Sequence, residues 1–186
     1  MNNELKPRFT IDQSCLLVID VQGRLAEMMH DKEQLFNHIK IMINAAKLLK
    51  QPIHWFEQYP KGLGSTHDEI KTLLAGENYH EKITFSACGE NGFMQQMHAS
   101  GRNQCIVTGI ESHVCVYQTV LDLIDNDFAV KVNQQAVSSR DPGNKTLALN
   151  NMQLEGAQLT STEMILFELM QTAEHPNFKQ ISKLLK

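Results

Sequence analysis

The chain alternates short apolar runs with stretches of helical period, a rhythm that predicts strands and helices in turn. SCLLVI at 14–19 is almost wholly apolar and stops at Asp20, which suits a strand buried on both faces. From 35 to 49, Leu35, Phe36, Ile39, Met42, Ala46 and Leu49 recur at spacings of three and four, and the pattern ends before Gln51-Pro52, so a helix is predicted there. IHWFE at 53–57 reads as a second strand and ITFSA at 83–87 as a third, with loop and a short helix in the Gly-rich, polar segment between them. QCIVTGI at 104–110 is the clearest interior strand, followed by a helix over 114–124, and FAVKV at 128–132 is the fifth strand. A helix over 145–154, a sixth strand at 157–161, a helix over 162–172 capped by Thr162, and a short helix over 177–185 complete the pattern.

Strands alternating with helices predict an α/β fold of three layers, α/β/α, in which helices cover both faces of a six-stranded, mostly parallel, Rossmann-like sheet. A length of 186 residues suits one domain spanning 1–186. No repeat, linker or low-complexity tract divides it.

Charge narrows the partners. Lysine and arginine number 17 against 21 acids, a net charge of −4, and no basic stripe is present, which argues against nucleic acid. The N-terminal MNNELKPRFTID lacks the apolar core of a signal peptide, and no apolar run nears the ~18 residues of a membrane span, so no membrane partner and a cytoplasmic location are expected. Cys15, Cys88, Cys105 and Cys115 show no CxxC spacing, and free thiols are expected among them. Gly62 and Gly64 form a GxG that reads as a flexible loop, because no third glycine follows, and no cofactor is implied.

In doubly wound sheets, ligands collect beyond the carboxyl ends of the strands. Asp20 closes the first strand, Cys115 begins the helix after the fourth, and Lys82 stands at the lip of the predicted third. A helix N-terminus favours a thiolate, which predicts a depressed pKa for Cys115; Asp20 is placed to act as base, and the Lys82 ammonium to steady nearby anions. Singly, each has a plainer reading: a packed cysteine, a turn-capping aspartate, a solvated lysine. Gln22, Leu25, Gln58 and His113 flank these positions and are candidates for a substrate pocket, or equally for satisfying their own loops. Cys88 reads as packing, and His54 and His67 lack the companion spacing of a metal site.

LLVIDVQGRL around Asp20, EKITFSAC around Lys82 and VTGIESHVCVYQT around Cys115 resemble, in order and spacing, the three signature blocks of isochorismatase-like cysteine hydrolases. The similarity runs from about Ser14 to the C-terminus, and EQYPKGLG at 57–64 with AVSSR at 136–140 resembles the isochorismatase domain-containing branch. The resemblance implies an Asp20–Lys82–Cys115 triad acting on a small-molecule substrate through a covalent cysteine intermediate. It also implies a non-proline cis peptide at Ile110–Glu111, an oxyanion hole made by the N–H groups of Glu111 and Cys115, and a homo-oligomer, which the apolar stretch 164–170 would support. Metal-dependent nicotinamidases of the superfamily carry an Asp and two His where this chain reads Glu57, Gln58, Tyr59, Pro60 and Lys61, so no metal is expected. True isochorismatases replace the cysteine by a small residue, whereas Cys115 is kept. The expected activity is metal-independent hydrolysis of a small amide or related C–N substrate. The alternatives are an isochorismatase-type reaction, a redox-sensing thiol, or a non-catalytic interaction protein that kept the fold.

Overall fold

A computed structural model describes residues 8–186, so the first seven residues of the N-terminal stretch lie outside the described residues. Six strands, β1 (Ser14–Ile19), β2 (Ile53–Gln58), β3 (Asn78–Lys82), β4 (Gln104–Ile110), β5 (Ala129–Ser138) and β6 (Gln158–Thr160), form one sheet in the order β3-β2-β1-β4-β5-β6. Every neighbouring pair is parallel. The fold is therefore a three-layer α/β sandwich with the strand order of a doubly wound sheet.

β1 shows how sequence dictates the layers. All six of its residues are buried, and alternate side chains enter opposite cores. Leu16 and Val18 join one core with α2 (Lys32–Leu48), α8 (Thr162–Met170) and α9 (Phe178–Leu184), while Cys15, Leu17 and Ile19 join the other with α5 (Asn91–Ser100), α6 (Tyr117–Asp125) and α7 (Pro142–Leu154). Short helices α1 (Gly23–Glu27), α3 (Pro60–Leu63) and α4 (Asp68–Lys71) lie in the connections after β1 and β2.

The third strand is NYHEK, not ITFSA. Asn78–Lys82 pairs with β2 at the sheet edge and turns only His80 and Lys82 inward, so its period-two pattern is written in polar residues. Ile83 and Phe85 of the apolar run are 68% and 51% exposed. Lys82 consequently ends β3, at the carboxyl edge of the sheet, instead of preceding a strand. The other departures are local. The chain after β4 makes a π-helical turn over Ser112–Val116 before α6. The cap of α8 is Ser161, whose Oγ accepts from Met164 N, and Thr162 is instead buried with Oγ1 accepting from Asn133 Nδ2. α7 begins at Pro142 because Asp141 accepts from Asn144 N as its cap. α5, with its Glu90 cap, had no counterpart in the expected elements.

Candidate active site

The order of strands reverses between β1 and β4, and the crevice beyond their carboxyl ends is where a doubly wound sheet holds ligands. Two tight approaches build it. Gly109 has φ +117°, and a Cβ there would lie 2.1 Å from Ile19 O, so only glycine lets β4 run this close to the end of β1. Gly23, at φ +44°, leaves room for Leu63 O, which a Cβ would meet at 2.4 Å. The GLG segment is thereby pressed onto the start of α1 rather than hanging as a flexible loop.

Asp20 follows β1 in the left-handed region at φ +50°, a costly conformation for a non-glycine residue and one that clusters at functional sites. Its backbone N–H donates to Phe56 O at 3.2 Å, and its carbonyl accepts from Gln22 N at 2.8 Å. The side chain is buried, and Lys82 Nζ donates to Oδ2 at 2.6 Å. Lys82 spends its other two donors on Phe85 O at 2.9 Å and Thr84 O at 3.2 Å, so the exposed loop after β3 holds the ammonium in place. Asp20 Oδ1, equally buried, makes no hydrogen bond of good geometry, and the donors beside the carboxyl are the Cys115 thiol and the Gln58 backbone N–H.

Cys115 lies beside that carboxylate in the π-helical turn. Its backbone carbonyl accepts from Thr119 Oγ1 at 2.6 Å, and the same hydroxyl accepts from Ala87 N at 2.9 Å, tying the turn to the loop after β3. Burial, then the Asp20 carboxylate, push the thiol up to about 12, against the opposing pull of Lys82. This is opposite to the depressed value expected from a helix start: burial disfavours the thiolate most, and the neighbouring Asp20 carboxylate adds to it. Burial likewise raises the Asp20 carboxyl, with Lys82 opposing. The resting pair is a thiol next to a carboxylate held by an ammonium.

The peptide bond Ile110–Glu111 is cis. The Glu111 carboxylate turns away to Arg140, accepting from Nε at 3.1 Å, Nη2 at 3.2 Å and the Arg140 backbone N–H at 3.0 Å, which fastens the segment after β5.

Asp20 and Cys115 open into a cavity of about 130 Å³ walled by Leu25, Leu63, Phe85, Ile110 and Val114, with Gln58 and Glu111 at its side. Of the candidate pocket residues, Leu25 and Gln58 line it. Gln22 does not: it is fully buried, and its amide is consumed by Gln58 N at 2.7 Å, Gly64 O at 2.7 Å and Gln58 O at 3.1 Å, a clamp between the loops after β1 and β2. His113 faces away toward α7, with Nδ1 2.9 Å from Ser139 Oγ. Leu63, Phe85 and Val114 were missed because they come from loops whose approach no periodicity announces.

His54 and His80 are packing histidines in a hydrogen-bonded chain: His54 Nδ1 is 3.1 Å from His80 Nε2, and His80 Nδ1 is 3.0 Å from Glu90 Oε2. Among the described residues, no group of three or more His, Cys, Asp or Glu side chains is arranged to hold a metal ion. No helix among them is long and apolar enough to cross a membrane.

Comparison with known proteins agrees with this architecture. Residues 14–164 match the isochorismatase domain. The chain is 34% identical over 180 residues to isochorismatase family protein 1B of Dictyostelium discoideum, covering 94% of this chain and 87% of that protein. It is 33% identical to isochorismatase domain-containing protein 2 of Danio rerio, covering 96% and 89%. Among solved structures, the MAR1 ribonuclease of Caenorhabditis elegans superposes with a TM-score of 0.91 at 34% identity, covering 96% of this chain and 92% of that one. A fold, a strand order and a sequence match that all agree place this chain in the isochorismatase family.

Proposed function

We propose that this protein is a metal-independent cysteine hydrolase that cleaves the C–N bond of a small amide through an acyl-thioester on Cys115. The observation that carries the proposal is the unpartnered, buried Asp20 Oδ1 beside the Cys115 thiol, on a carboxylate whose other oxygen is held by Lys82.

With the thiol pushed to about 12, a standing thiolate is scarce, so the proton leaves as sulfur attacks. Asp20 Oδ1 takes that proton while the sulfur bonds to the carbonyl carbon, and the carbonyl oxygen becomes an oxyanion accepting from the N–H groups of Glu111 and Cys115. Asp20, now a carboxylic acid, returns the proton to the nitrogen as the C–N bond breaks and the amine leaves. Water then gives its proton to Asp20 and its oxygen to the thioester, and the released sulfur recovers the proton, leaving a carboxylic acid product. Burial, which favours the neutral carboxyl, suits Asp20 to both roles, and Lys82 keeps it from becoming too weak an acid. Glu111 and Cys115 act here through their backbones, and Lys82 positions Asp20 without reaching the substrate.

The test is turnover of a panel of short amides with acid quench and intact mass: a transient acyl mass on Cys115 supports the reading, and its absence during turnover refutes it.

The likeness to the Caenorhabditis elegans MAR1 ribonuclease offers RNA cleavage as a second reading. It is the weaker one, since a cavity of about 130 Å³ with no lysine or arginine on its wall is poorly suited to a phosphodiester. Loss of RNA cleavage in Cys115→Ala would restore it.

We further infer a single working domain over 1–186 that assembles at least as a dimer. Most of the 164–170 stretch packs into the core, but Met164 and Phe167 stay exposed on α8, as do Leu147 and Leu154 on α7. Light scattering decides this: a mass near the 21.1 kDa chain refutes assembly. A cytoplasmic location is supported by four free cysteines, two of which, Cys15 and Cys105, have sulfurs 3.9 Å apart and unbonded.

A further inference from the structure

Resting on the amide-hydrolase reading above, we infer that the cavity selects an uncharged carboxamide with a short apolar acyl group and rejects substrates that carry a carboxylate, with Gln58 as the residue that reads the substrate N–H.

Charge is the first constraint. The cavity wall contains two acids, Asp20 and Glu111, and no lysine, arginine or histidine. The nearby cations are committed elsewhere. Lys82 has all three donors on Asp20, Thr84 O and Phe85 O, and its side chain is fully buried beneath the carboxylate. Arg140 holds both oxygens of Glu111 and does not reach the wall. A carboxylate entering this space would lose its water, find no free cation to receive it, and meet the Asp20 carboxylate, since the Glu111 carboxylate is turned to Arg140.

The wall chemistry is the second constraint. Leu25, Leu63, Phe85, Ile110 and Val114 offer only apolar surface to the acyl portion. A single neutral polar side chain interrupts them. Gln58 Nε2 donates to Ile83 O at 3.0 Å, which fixes the orientation of its amide, and no described residue donates to its Oε1. An acceptor left open in an apolar wall matches a substrate that brings an N–H donor, as a carboxamide does and a carboxylate or ester does not.

Iodoacetamide and iodoacetate test this directly, because they deliver the same carbon to sulfur and differ in whether the neighbouring group is a neutral amide or an anion. Their rates at Cys115 are followed by peptide mass, with Cys115→Ala as the site control and N-acetylcysteine as the reference thiol. The inference expects the iodoacetamide-to-iodoacetate ratio at Cys115 to exceed that of the reference by at least about tenfold, a modest share of what an unpaired buried charge costs. Leu63→Arg, at a rim position already 38% exposed, should lower the ratio severalfold by supplying the missing cation. Gln58→Leu should lower it by slowing the amide reagent alone. A ratio at or below the reference overturns the charge selection while leaving Cys115 as the nucleophile. Labelling of Cys115 by neither reagent on prolonged exposure at raised pH, where the thiol begins to ionise, overturns the nucleophile reading, and this inference with it.

Discussion

Two carboxylate–cation pairs flank the same cavity, and their oxygens are committed differently. Asp20 and Lys82 are buried together, yet one carboxylate oxygen, Oδ1, is left without a partner next to a thiol. Glu111 and Arg140 meet through both carboxylate oxygens and a backbone N–H, with the Arg140 side chain 53% exposed. A carboxylate whose two oxygens are both committed is suited to holding structure, whereas one with an uncommitted oxygen in a dry site can move a proton. The contrast is the reason two acids that each directly follow the end of an adjacent strand are proposed to have opposite roles.

Turnover should divide the pairs most sharply. Asp20→Asn and Cys115→Ala each lower kcat/KM on the best amide by on the order of 10³-fold or more, and the double variant is little worse than the worse single one. Arg140→Gln, which only loosens the segment after β5, retains most of the activity. A steady-state assay that finds independent, multiplicative losses for Asp20 and Cys115 would break the pairing of base with nucleophile.

Stability should follow the same division. Lys82→Met strands a buried carboxylate and costs about 3–5 kcal/mol in urea unfolding, less whatever Asp20 recovers by taking up a proton. Arg140→Gln shifts the midpoint less, because the half-exposed guanidinium gives up little and the 7% exposed Glu111 carboxylate keeps the Arg140 backbone N–H as a donor. Equal losses would mean that both pairs are structural.

A smaller effect lies outside the site. Burial, and then His80, hold the His54 imidazole down at about 4 from an ordinary 6.5. The unfolded chain takes up this proton below 6.5 and the folded chain does not until about 4, so stability is lost as pH falls through that window, by at most about 1.4 kcal/mol per pH unit. His54→Asn should flatten the slope of urea midpoint against pH between those values. An unchanged slope would assign the acid sensitivity elsewhere.

Much of this was legible along the chain. β1, β2 and β4 announce themselves because their buried residues are apolar, and Asp20 and Cys115 are conspicuous at the ends of two such runs. β3 was misplaced by five residues because the groups it buries are His80 and Lys82, whose partners Glu90 and Asp20 make burial tolerable only in three dimensions. The direction of the Cys115 shift is hidden for a related reason: a helix start is visible in sequence, but the burial that raises the thiol, and the Asp20 carboxylate that adds to it from 95 residues away, exist only in the fold. Gln22, adjacent to Asp20 and polar, looked like a pocket residue and turned out to be a clamp.

In the proposed mechanism Asp20 removes the Cys115 proton during attack, and no thiolate stands ready beforehand. Titrating the ultraviolet thiolate absorbance of the native protein and of Asp20→Asn, each against its Cys115→Ser background, measures this. Native Cys115 is expected to remain a thiol through neutral pH and to ionise only at high pH, near 12, while Asp20→Asn ionises at lower pH yet turns over far more slowly. A native thiol already ionised at neutral pH, or an Asp20→Asn variant whose activity rises with its thiolate, would contradict it.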